Sequence, residues 1–162
     1  MRRVGVVALG VVVAVAGIVA LAIVFNSRDD ADLAEAPAGP GQAQAEGEGE
    51  FPTSGPHQRA LVTRDRRELT DDQLLTALEL GNVVILYGSR EPAPELVRLQ
   101  DDVAGPFDAE IAAAGQAVII APGDGAGSAT ALAWERVLQT DDPGDPELTA
   151  FAEAWLGRGL GN

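Results

Sequence analysis

Val4 to Phe25, VGVVALGVVVAVAGIVALAIVF, runs for 22 residues without a charged or strongly polar side chain. As a helix at 1.5 Å per residue it reaches roughly 33 Å, enough to cross the hydrocarbon core of a bilayer. Residues 4–25 are therefore expected to form a single transmembrane helix. Arg2 and Arg3 precede it, whereas Asn26 to Glu50 holds one arginine, Arg28, against seven acids. Positive charge stays inside, so residues 1–3 are expected as a cytoplasmic stub with the rest of the chain outside the cytoplasm. The alternative is secretion after signal cleavage, since Ala14-Val15-Ala16 and Ala20-Leu21-Ala22 are small-x-small sites. The apolar run is longer than the ~7–15-residue core of an export signal and continues past both sites, which favours an uncleaved anchor.

Residues 26–50 are rich in Ala, Gly, Pro and acid and contain no aromatic side chain. Such a segment buries too little apolar surface to offset chain entropy, so a disordered, self-repelling linker is expected. Its acids also disfavour contact with anionic headgroups. The whole chain carries a net charge of -14, and its eleven basic residues are all arginine. No nucleic-acid partner is expected from that balance, because phosphate neutralisation needs a clustered basic face. Cysteine is absent and histidine occurs once, at His57. Disulfides, thiolate metal sites and cysteine nucleophiles are thereby excluded.

From Phe51 large apolar residues return at regular spacing, and residues 51–162 are expected to be one domain. Thr70 and Gln73 form a capping box, and Gly81 closes the helix they open. Leu74, Leu75, Ala77 and Leu78 give that helix an apolar face. NVVILY, residues 82–87, has the β-branched and aromatic run of a strand covered on both faces. Pro92 and Pro94 open a second helix with Leu96, Leu99 and Val103 on one stripe. Residues 108–115 fit a short helical turn, and QAVIIAP, residues 116–122, a second buried strand. TALAWERVLQT, residues 130–140, reads either as a strand or as a helix. The glycine-rich GDGAGS before it favours a strand in a hairpin with residues 118–121. Asp145 and Pro146 then open a last helix with Leu148, Phe151, Ala152 and Trp155 at i, i+3, i+4 and i+7. The expected order is α-β-α-β-β-α, an α+β domain with a small mixed sheet and helices packed on it.

PTSGPH, residues 52–57, followed by LELG-x-VV-x-x-Y, residues 78–87, resembles the bacterial domain-of-unknown-function family numbered 3105. The resemblance implies a basic start, one membrane span, a low-complexity spacer and a C-terminal domain. The family pattern carries two histidines four positions apart around its Leu-Glu, and Thr76 and Leu80 stand at those positions here. His57, Glu79, Gly81 and Tyr87 match the pattern's polar and turn positions. Histidines at i and i+4 share a helix face and can join a third to hold a metal such as zinc. One histidine cannot build that site, so no metal and no cofactor are expected.

Four residues stand out as candidate binding positions: Ser54, His57, Glu79 and Tyr87. Ser54 and His57 lie three apart, but no G-x-S-x-G elbow supplies nucleophile geometry, and a turn satisfying its own backbone is favoured. Glu79 can serve as a base only if apolar neighbours surround it and a second catalytic group exists, and none can be named. The arginines of RALVTRDRREL can bind a phosphate or lipid headgroup, but Asp65, Glu68, Asp71 and Asp72 interleave or follow them. A solvated mixed-charge connection is favoured there. GDGAGS lacks the lysine and spacing of a phosphate loop, and one aspartate does not make a calcium loop. In DDPGDPE, helix capping uses Asp145 and Glu147.

The expected protein is thus membrane-anchored through residues 4–25, with an extracytoplasmic domain that acts as a binding or interaction module without catalysis. Its partner is expected to be an envelope protein or a small ligand. The alternative is a degenerate metal-binding or hydrolase-like domain that keeps partial function at His57 and Glu79.

Overall fold

The computed structural model describes residues 39–160. The expected membrane span and residues 26–38 of the expected linker lie outside them. Among the described residues, no helix is long and apolar enough to cross a membrane.

The helices begin and end where local chemistry tells them to. In α1 (Asp71–Leu80) the Thr70 hydroxyl accepts from the Gln73 backbone N–H, and the Gln73 side chain accepts in return from the Thr70 N–H. Gly81 closes it in the left-handed region, at φ 107, a conformation that costs a residue with a Cβ. α2 (Pro94–Val103) starts on proline, α3 (Ala109–Ala113) is capped by Asp108, and α4 (Pro146–Trp155) by Asp145.

The five strands, β1 (Gln42–Ala43), β2 (Val83–Tyr87), β3 (Val118–Pro122), β4 (Ala129–Ala133) and β5 (Arg136–Thr140), form one sheet in the order β1-β5-β4-β2-β3. β2 is an interior strand and buried throughout. On one side it pairs in parallel with β3, and on the other antiparallel with β4. β4 continues into β5, and β1 pairs antiparallel with β5 at the far edge. Because side chains alternate along a strand, β2 feeds two separate cores. Val83, Ile85 and Tyr87 join Leu96 and Leu99 of α2 and Leu148, Phe151 and Trp155 of α4. Val84 and Leu86 join Leu74, Ala77 and Leu78 of α1 and Ala112 of α3. The result is three layers, with the sheet between two helical faces, and the continuous apolar strands are explained by burial on both sides.

Three expectations are corrected. The hairpin between residues 118–121 and 130–140 does not form, since β3 pairs only with β2. The six residues of GDGAGS instead carry the chain past the end of β2, where Gly123 N donates to Tyr87 O and Gly88 N to Gly127 O. Two strand spacings of about 4.8 Å are well within the reach of six residues. Residues 130–140 are two strands rather than one, turning at Trp134–Glu135 with Glu135 at φ 56. That turn is held from outside: Glu135 N donates to Thr53 O, and Gln44 N to Glu135 O. Finally, residues 39–50 of the expected linker belong to the fold. β1 extends the sheet, the Trp155 indole N–H donates to Pro40 O at 2.8 Å, and buried Gln44 donates to Phe51 O at 2.7 Å. Backbone pairing at an open sheet edge needs no hydrophobic side chain, so composition does not reveal it.

A second covering protects the opposite edge. Asp65 Oδ1 accepts from Ile120 N at 2.9 Å, Arg66 N donates to Ile120 O at 2.8 Å, and buried Gln100 donates to Val118 O at 2.8 Å. The outer edge of β3 is thus occupied by a loop and a side chain. The mixed-charge connection expected at residues 59–69 is partly structural: the Asp65 side chain is only 12% exposed.

Candidate functional site

Three polar residues of α1, Asp72, Thr76 and Glu79, fall at i, i+4 and i+7 and so share one stripe of the helix. The segment carrying His57 lies along that stripe. Asp72 Oδ1 accepts from Gln58 N at 2.9 Å. The Thr76 hydroxyl accepts from Ala60 N at 3.0 Å and donates to Gln58 O at 3.4 Å. Glu79 Oε2 lies 3.0 Å from His57 Nε2. Thr76 is therefore a buried staple for the loop.

His57 is held at both nitrogens. Nδ1 lies 3.0 Å from Gly55 O, which can only accept, so Nδ1 carries a proton. Nε2 faces the Glu79 carboxylate, and the ring tilts against Trp134 with centroids 6.5 Å apart. The imidazole is 9% exposed and the Glu79 side chain 46%. A ring donating through Nδ1 and facing a carboxylate through Nε2 has no lone pair aimed at a substrate hydroxyl.

Ser54 is buried beside this segment, yet its Oγ has no hydrogen-bond partner among the described residues. Among the described residues no hydrogen bond joins Ser54 to His57, and a nucleophile needs one. Among the described residues, no group of three or more His, Asp or Glu side chains is placed to hold a metal ion.

Tyr87 is elsewhere. It lies on the α2–α4 face of β2, whereas His57 and Glu79 lie on the α1 face, so the sheet separates them. Tyr87 is 3% exposed and floors a cleft lined also by Arg66, Arg90, Pro94 and Val97. Burial pushes its hydroxyl above the ordinary tyrosine value, with Asp65 and Glu91 adding to the rise and Arg66 opposing it. The four candidate residues thus divide into a joined pair, His57 and Glu79, a neighbouring serine, and a tyrosine in a different place.

Asp72 and Asp65 stand out in the sequence only as charges among the arginines, not as hydrogen-bond acceptors for distant backbone. Asp72 was legible as the first of three polar residues at helical spacing. Asp65 was not, because its partners, Ile120 and Gln100, lie 55 and 35 residues away.

No curated protein and no solved structure matches the chain. The sequence model of the family described as "Protein of unknown function (DUF3105)" matches residues 43–160, most of the chain and nearly all of the described fold. Its start at residue 43 coincides with β1, within the segment that composition assigned to the linker. The chain belongs to that family.

Proposed function

We propose that this is a single-pass membrane-anchored protein whose extracytoplasmic domain binds a small ligand or an envelope protein without catalysing a reaction. The anchor rests on the uncharged run at residues 4–25 and the arginines before it. The observation that carries the non-catalytic reading is the engagement of the lone imidazole by Gly55 O and Glu79 at 3.0 Å each. A histidine so held fastens a loop to α1, and Ser54 has no base beside it.

Two measurements test the reading. Metal analysis of the purified full chain, beside His57→Ala, is expected to find no stoichiometric transition metal in either. Zinc or copper bound at one per chain and lost in the variant would overturn the proposal in favour of a degenerate metal site. Protease added to intact spheroplasts is expected to remove the domain while sparing a cytoplasmic control. A fully protected domain would refute the orientation.

A further inference from the structure

The cleft floored by Tyr87 has features that a solvated surface does not need. Its volume is about 690 Å³, within the range of small-molecule sites. Three arginines, Arg66, Arg90 and Arg98, line it in a chain whose net charge is -14. Glu91 is the one carboxylate in the lining. The guanidinium groups are only partly used. Arg66 places Nε 3.6 Å from Asp65, and Arg98 donates to Glu95 at 2.7 Å and to Pro94 O at 3.3 Å. Arg90 has no partner among the described residues.

The presentation of Arg66 is fixed by the backbone. Its φ is 56, in the left-handed region, and its N–H is bonded to Ile120 O while the adjacent Asp65 holds Ile120 N. A non-glycine residue held there by its neighbours is a local strain that the surrounding bonds sustain. Tyr87 lines the same cleft and is 3% exposed. A tyrosine hydroxyl is protonated at neutral pH, and burial raises its value further, so it is available as a donor. The first turn of α2 adds the positive end of a ten-residue helix whose N-cap, Ala93, offers no side-chain cap. Pro92, Pro94 and Val97 supply an apolar wall.

We propose that this cleft binds a small organic phosphate monoester, its phosphate held by Arg66, Arg90 and the Tyr87 hydroxyl and its apolar body against Pro94 and Val97. Planar guanidinium forks match phosphate oxygens in pairs. Arg66 and Arg98 each face a carboxylate already, so Arg90 brings the unpaired charge, and two guanidinium forks suit the several oxygens of a phosphate better than a single carboxylate group. This assignment rests on the reading of the domain as a binding module and names the ligand class it takes.

The test is calorimetric titration of the full chain in detergent with phenyl phosphate, and with benzoate and phenol as controls. One-to-one saturable binding is expected, weaker by about tenfold or more for benzoate and phenol. Arg90→Gln and Arg66→Gln are each expected to weaken phenyl phosphate by about tenfold or more, with Arg59→Gln unchanged. Arg90 is exposed, so its variant keeps the test valid if Arg66→Gln unfolds. Absence of saturable binding, binding indifferent to Arg90→Gln, or benzoate equal to phenyl phosphate would overturn the proposal. Competition by phosphatidic-acid vesicles would assign the phosphate to a lipid headgroup, and its absence to a soluble ester, both through the same site. Release of inorganic phosphate from phenyl phosphate, lost in His57→Ala, would sink the non-catalytic reading and leave the cleft intact. Failure to bind would remove the cleft and leave an interaction module standing.

Discussion

Replacing Asp65 by alanine is expected to destabilise the domain well beyond what a surface aspartate should cost. The carboxylate takes one hydrogen bond from the Ile120 backbone and one from Gln100 Nε2, each at 2.9 Å. Both donors are at most 1% exposed, so water does not replace the lost oxygens readily. Gln100 keeps one amide N–H on Val118 O at 2.8 Å, but its second N–H and the Ile120 N–H both lose their acceptor. A hydrogen bond to a charged acceptor contributes about 1.5–3 kcal/mol, and an unsatisfied buried donor costs about 1–3 kcal/mol. These overlap rather than add, and a loss of about 3 kcal/mol is expected. For a domain of this size that is about 10 °C in Tm. Asp65→Asn is expected to lose about 2 kcal/mol, since one oxygen can still serve Ile120 while the new amide nitrogen opposes the Gln100 donor. Urea unfolding followed by the fluorescence of Trp134 and Trp155, which lie on opposite faces of the sheet, measures both. Hydrogen exchange at the Ile120 amide locates the effect. A variant within about 0.5 kcal/mol of the parent, with the Ile120 amide still protected, would refute the edge-covering role of Asp65.

Asn82, 1% exposed, donates to Ala77 O and Ala112 O and accepts from Ala117 N, tying α1, α3 and the approach to β3 together. Asn82→Asp replaces two donations by oxygen-to-carbonyl contacts and is expected to cost about 3 kcal/mol or more in urea unfolding. Gly115→Ala is expected to reduce thermal stability markedly, because its φ is 74 and a Cβ there would overlap the Leu80 carbonyl. A melting curve unchanged by the methyl group would contradict the close approach of those segments. Glu79→Gln is expected to cost under about 1 kcal/mol, because its side chain is nearly half exposed and water screens the His57 contact. Tyr87, the sole tyrosine, titrates above 10.0 in the folded chain. As pH rises past 10.0 the unfolded chain releases its proton first, so stability present below that pH is lost until the folded tyrosine ionises too. Alkaline unfolding curves of the parent and Tyr87→Phe should therefore diverge above pH 10, and superimposed curves would contradict a buried hydroxyl.

Much of this protein is written within short windows of sequence. The Thr70–Gln73 box, the Gly81 stop and the Asp145–Pro146 start depend on bonds spanning a few residues, so identity and spacing suffice to place α1 and α4. The runs at Val83–Tyr87 and Val118–Pro122 declare strands buried on both faces because nothing polar interrupts them. The His57–Glu79 pair was half legible, as two polar residues in the family motifs, but their contact depends on a loop laid along α1. The separation of Tyr87 from that pair also escaped reading along the chain, since one residue of register moves a side chain across the sheet.

Tertiary structure alone decided the rest. The placement of β4 beside β2, the turn at Glu135, the recruitment of residues 39–50 and the capture of Ile120 by Asp65 all join positions distant in sequence. Their energy comes from satisfying backbone groups at sheet edges and turns. Every residue type carries those groups, so no composition or periodicity marks in advance which ones will meet.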